Sequence, residues 1–208
     1  MRVTAAILAL SLTSLILSAP LEAAEPPAPG RYKIDPAESR IVVRAYAAGF
    51  FSAFAHDHTI AARDFDGAAT VDERGGASLR LAIRAASLGV VDKISDGDRR
   101  DIEATMRGQV LETEKFPEIA FRSTRVEARA NADGSYQARI AGELTLHGVT
   151  REVSFTADVA VENGRLRARG RFPLLQTDYK ITPVSIFGGT VRVKDEVEIT
   201  FDVAAAKE

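Results

Sequence analysis

His56-Asp57-His58 is the sharpest local arrangement of chemically capable side chains in this sequence. On a strand, residues two apart face the same way, so His56 and His58 would present two imidazoles side by side. Imidazole suits zinc, copper and nickel, yet a tight site takes three or four ligands. The preferred reading puts this pair at the rim of a sheet, hydrogen-bonded to backbone. A metal-binding protein or metal-dependent enzyme centred on His56 and His58 is the alternative. His147 is the remaining histidine, and nothing in the sequence places a serine beside any of the three. There is no cysteine, hence no thiol nucleophile, thiolate metal site or iron–sulfur cluster. No G-x-S-x-G, P-loop or dinucleotide fingerprint occurs. The expectation is a protein that is not an enzyme and that uses no cofactor and no metal.

Arg165, Arg167, Arg169 and Arg171 share one face of one segment. They could hold phosphate or an anionic membrane. The net charge is −2, which argues instead for an outer wet face paired with Asp and Glu on neighbouring strands. The same balance lacks the basic excess of a nucleic-acid binder.

The elements that carry these residues read as strands. Apolar and polar residues alternate over Leu79–Ala85, Tyr136–Leu144, Val153–Val161, Leu166–Phe172 and Val197–Val203. Such alternation marks antiparallel strands with one buried and one wet face. Weaker strands are expected at Arg40–Tyr46, Ala53–Ala61, Phe65–Val71 and Ile119–Val126. Asp72–Gly76, Asn131–Gly134 and Glu162–Gly164 supply the turns. One segment differs: Ser95–Asp98 leads into Arg99–Leu111, where Ile102, Met106 and Val110 fall four apart, as on a short amphipathic helix. Eight or nine antiparallel strands need covered edges. Closure into a barrel removes edges, and a sandwich of two sheets is the competing architecture.

On the apolar faces, Phe121, Phe155, Phe172 and Phe201 would converge if the strands close. Ala45, Ala85, Ala138, Gly142, Ala157, Ala168 and Gly170 are small, and small inward residues leave room that a long apolar chain would fill. The expected lining is Phe121, Tyr136, Ile140, Phe155, Ala157, Phe172 and Phe201.

The N-terminus carries its own signal. Met1-Arg2 precedes an uncharged stretch from Ala5 to Ser18, then Pro20 and Ala23-Ala24. This order is that of a secretory signal peptide, expected over residues 1–24, and the stretch is short for a membrane span. Residues 25–30, EPPAPG, read as a proline-rich tether. The folded domain is expected over 31–208, in the periplasm or secreted.

Several segments resemble the YceI-like family. They are Tyr32-Lys-Ile-Asp-Pro36 with Ser39, Phe116-Pro117 through Ser123, Gly142-Glu-Leu-Thr-Leu-His-Gly-Val-Thr150, and Asp195-Glu196-Val197 with Ile199. They keep the family's order from Tyr32 to Val203. The resemblance implies an all-β fold, an extended antiparallel lipocalin-like β-barrel of about eight strands with one short helix. It implies a periplasmic lipid-binding role, with a polyisoprenoid in an apolar tunnel. The implied partner is an isoprenoid quinone or other long-chain amphiphile. No nucleic acid is expected, the membrane enters only as the source of ligand, and a homodimer is one candidate assembly. His147 falls in the family's strand–turn signature, which implies turn packing rather than metal ligation. The stretch Phe50–Ile60 is more polar than in many relatives, and a polar group there would orient a head group at the barrel mouth. A stress or interaction module with a filled barrel and no ligand is a further alternative.

Overall fold

Alternating side chains make most of this chain sheet. The computed structural model describes residues 26–48, 57–186 and 191–208. The expected signal, residues 1–24, and His56 lie outside them. Among the described residues the strands are β1 (Gly30–Ile34), β2 (Arg40–Ala48), β3 (His58–Ala61), β4 (Phe65–Val71), β5 (Ala77–Arg84) and β6 (Gly89–Val90), then β7 (Glu118–Ala130), β8 (Tyr136–Leu146), β9 (Val149–Glu162), β10 (Arg165–Leu175), β11 (Ser185–Ile186) and β12 (Val191–Lys207).

Eight strands form a closed antiparallel ring in the order β1, β4, β5, β7, β8, β9, β10, β12 and back to β1. The pairing of Tyr32 with Lys207 and Ile34 with Ala205 completes it. Periodicity left barrel and sandwich open, and these pairs decide for the barrel. The turns are where the sequence places them. Asn163 and Gly164 both take left-handed backbone (φ 52° and 74°), as do His147 and Gly148 (φ 50° and 71°). This is the two-residue hairpin turn whose twist matches its strands.

β12 is long enough to serve several neighbours. On one side it pairs with β10 from Arg165↔Ala206 to Leu175↔Glu196. On the other, Lys207, Ala206 and Ala205 pair with β1, while Arg192 to Asp202 pair with β2. From β2 the sheet continues to β3 and β6. A second irregularity lies opposite. β9 and β10 pair only from Arg165↔Glu162 to Gly170↔Ala157. Beyond that point the two strands part, and Pro173, which has no N–H to give a ladder, sits in the stretch that β9 does not pair, while still facing Glu198 of β12.

Among the described residues the single α-helix, α1 (Asp96–Thr105), starts three residues earlier than the apolar spacing predicts. Ser95 caps it by accepting from the Asp98 N–H, and Asp96 and Asp98 sit in the first turn, where the helix dipole favours negative charge. It does not run on as a regular helix to Leu111. Met106–Val110 forms a wide π-type turn in which the Leu111 N–H reaches back to the Met106 carbonyl at 2.8 Å. The extra residue in that turn lets Met106, Val110 and Leu111 all face the barrel.

Candidate functional site

Inward-facing side chains from most of these strands surround one apolar cavity of about 250 Å³. Its waist is aromatic. Phe155 on β9 stacks on Phe172 of β10 with centroids 4.7 Å apart and planes 12° off parallel. It also meets Phe201 of β12 edge-on at 5.6 Å and Phe121 of β7 at 5.5 Å. Four strands thus contribute one ring each, because each phenylalanine occupies the inward phase of its own alternation.

Of the lining expected from the sequence, Phe121, Ile140, Phe155, Phe172 and Phe201 line the cavity. Ala157 does not; it is buried with Phe121, Ala138 and Ile140 in the packed wall. Tyr136, at the start of β8, is half-buried and also lies away from the lining.

Two of the small inward residues, Gly142 and Gly170, serve a different purpose from the one expected. A Cβ on Gly170 would lie 2.5 Å from the Phe201 ring, and one on Gly142 would lie 2.7 Å from the Phe121 ring. The phenylalanines lie over these glycines, so the missing side chains make room for rings. Ala45 and Ala168 are the small residues among them that line the cavity. The turn that ends α1 stands over one end of this space.

That end is lined by Ala45 of β2, Leu146 of β8, Leu174 of β10, Val197 of β12 and Val110 and Leu111 beyond α1. Polar contacts hold the cover down. Glu103 accepts from the Val90 N–H at 2.9 Å and pairs with Arg107 at 2.9 Å. Arg107 also donates to the Leu88 carbonyl at 3.2 Å. Arg99 donates to the carbonyls of Val90 and Asp92. α1 and the turn after it are therefore tied by side-chain-to-backbone bonds to β6 and its flanks, on a strand that has no further partner strand among the described residues.

His58 and His147 take structural partners. His58 Nδ1 lies 3.0 Å from Asp92 Oδ2, and Asp92 also accepts from the Thr59 N–H at 3.1 Å. Asp57 accepts from the Ala47 N–H at 2.9 Å. Asp57 is bonded to backbone, as the rim reading expects, whereas His58 takes a carboxylate partner. No group of three metal-ligating side chains occurs among the described residues.

His147 has acceptors on both ring nitrogens: the Tyr179 carbonyl 3.1 Å from Nδ1 and Glu112 Oε2 3.0 Å from Nε2. Its ring also stands edge-on to Phe116 at 4.5 Å. This is the turn-packing role the resemblance implies. The salt link to Lys115 and the bond to His147 hold the Glu112 carboxyl below its usual range. The arginine stripe is likewise an outer face. Arg167 holds Asp202 in a two-point pair at 2.7 and 2.8 Å, and Arg165 meets Asp35 and Glu38.

Where β9 and β10 part, a tight turn over Gln176–Tyr179 fills the gap. Asp195 anchors it, accepting from the Thr177 N–H at 2.9 Å and from its hydroxyl at 2.6 Å. Across the gap, Arg151 of β9 donates to the Asp178 carbonyl at 3.2 Å. Gln176 and Ile181 reach the cavity from this turn. Sequence reasoning missed both, although Leu174 and Gln176 simply continue the inward phase that ends in Phe172.

A closed antiparallel ring around an apolar space, with a helix over one end, defines the class of small β-barrels with open interiors. The chain belongs to the YceI-like family, whose domain matches residues 32–205. Among its relatives, a UPF0312 protein of Pseudomonas fluorescens is 35% identical over 94 residues, 44% of each chain. Protein YceI of Escherichia coli O157:H7 is 33% identical over 95 residues, 46% of this chain and 45% of that one. The matched stretch spans under half the length of these curated relatives. In three dimensions the chain is similar to BcnA of Burkholderia cenocepacia, with a TM-score of 0.65 at 20% identity, covering 82% of this chain and 98% of that one. It is also similar to a polyisoprenoid-binding domain from Saccharophagus degradans, with a TM-score of 0.64 at 13% identity, covering 87% and 100%.

Proposed function

We propose that this protein binds a polyisoprenoid or similar long-chain amphiphile inside its barrel and acts as a carrier or store rather than as an enzyme. The observation that carries the reading is the cavity wall: among the described residues every lining side chain but Gln176 is apolar. Water gains little in such a space, whereas a hydrocarbon chain gains about 0.8 kcal/mol for each methylene taken out of water. The aromatic waist suits a chain passing between rings. The relationship to a domain named for polyisoprenoid binding supports the same ligand class. An isoprenoid quinone is one ligand of this kind. The N-terminal segment supports export to the periplasm, where the membrane would supply the ligand.

Native mass spectrometry of the protein purified from an exported preparation tests the reading. The expected result is a mass excess of several hundred daltons that moves into organic solvent on extraction and whose fragments identify a long-chain amphiphile. A bare protein mass in preparations that were never exposed to detergent, with no uptake of farnesol on addition, would overturn it.

A further inference from the structure

Among the described residues the cavity has one polar side chain, and its bonding is half complete. Gln176 is buried, 9% exposed, and lines the cavity among hydrocarbon neighbours. Its Nε2 donates to the Lys194 carbonyl at 2.8 Å. That bond fixes which way round the amide lies, since only the nitrogen can donate to a carbonyl. The Oε1 therefore points away from Lys194, and it has no partner among the described residues. An acceptor among hydrocarbon neighbours is satisfied only when a donor reaches it.

We propose that Gln176 reads the head group of the bound amphiphile and selects one that carries a hydrogen-bond donor. This rests on the reading that the barrel holds such a molecule. The amide offers the ligand one acceptor, Oε1, and the one Nε2 hydrogen not given to Lys194. A hydroxyl matches both. Prenols, the phenolic hydroquinone form of a quinone and undissociated fatty acids all bring a donor. An oxidised quinone or an ether brings acceptors only and leaves Oε1 unpaired.

The position suits the task. Gln176 sits at the end of β10, where β9 and β10 have parted and the wall is completed by a turn instead of a strand pair. The aromatic waist lies deeper along the same strand, at Phe172. A chain threaded between the rings would leave its head beside Gln176. The turn itself is pinned from outside by Asp195 and Arg151, so the amide is held in place without a ligand.

The test is a competition in one solution, read by native mass spectrometry, between farnesol and farnesyl methyl ether. The two share a chain and differ by a single methylene on the head oxygen, which removes the donor. The wild-type protein is expected to favour farnesol by roughly fivefold or more, the worth of one hydrogen bond. Gln176→Leu is expected to bring the ratio close to one while still binding both. Gln176→Met, unbranched and close in length, serves in its place should the leucine variant fail to fold. Equal binding of the two ligands by the wild type would overturn the inference and leave the lipid-binding reading standing. Retention of the farnesol preference in the variant would overturn it as well, by placing the selecting group elsewhere. Failure of both ligands to bind would remove the inference together with the reading it rests on.

Discussion

Phe155 touches three other rings at the waist, and that makes it the side chain on which the cavity's shape most depends. Truncation to alanine removes those contacts from a partly open site, so Phe155→Ala should cost about 2–3 kcal/mol in urea unfolding, the low end for a large aromatic. It should also weaken retention of any chain threaded there. Gly170 predicts the opposite defect. A valine would drive its side chain into the Phe201 ring and toward the Thr156 carbonyl 2.6 Å away, and Gly170→Val should destabilise by about 1–3 kcal/mol through overpacking. Tyr179 is different again. It is 2% exposed, its hydroxyl has no partner among the described residues, and burial raises its pKa above the usual range. Tyr179→Phe removes an unpaired polar atom and keeps the packing, so its stability in urea unfolding should be unchanged or raised, by up to about 1 kcal/mol. At this scale the sequence was partly legible. Alternation put Phe121, Ile140, Phe155, Phe172 and Phe201 on the inner face. It could not say that the small residues between them are covered by rings, because that depends on which residues stand opposite across strands.

The helix shows how an element can be foreseen in kind and missed in form. Ser95, the two early aspartates and the spacing of Ile102, Met106 and Val110 announce a helix. The π-type turn that ends it answers to the barrel beneath, which favours turning Val110 and Leu111 inward together, and that demand is not written locally. What docks the helix is also non-local: Glu103 reaches Val90, and Arg107 reaches Leu88. Glu103 is well covered, at 12% side-chain exposure, so Glu103→Ala should strand the Val90 N–H and an arginine and cost about 1–3 kcal/mol. The expected sign is faster amide hydrogen exchange across residues 96–110, with the strands of the ring little changed. Loss of stability spread evenly over all strands would show that the helix is part of the core rather than a cover. The Gln176–Tyr179 turn is the other element the sequence concealed. Its need arises from the parting of β9 and β10, and the parting is visible only once the register of both strands is known.

For the molecule as a whole, acid is the revealing stress. Lys115 and His147 hold the Glu112 carboxyl low, Thr177 does so for Asp195, and Arg167 for Asp202. A carboxyl depressed in the folded chain stabilises it fully above the unfolded-state value, and that contribution disappears as pH falls through the folded value. The melting temperature should therefore be flat from neutrality to about pH 5 and fall below about pH 4, the range in which free carboxyls take up protons. Glu112→Gln should shrink the fall, because it removes one of the groups being titrated. Two of these carboxyls serve the covered end, Glu112 by meeting His147 and Asp195 by anchoring the turn, so loosening should begin there. The order of the strands has a consequence in time as well as in space. β1 closes the ring only by pairing with Lys207, Ala206 and Ala205 of β12. Until that strand has emerged, β1 and β10 have no neighbour in common, and no portion of the chain can complete a barrel prematurely. A polypeptide built this way leaves its ring open until its last strand is free.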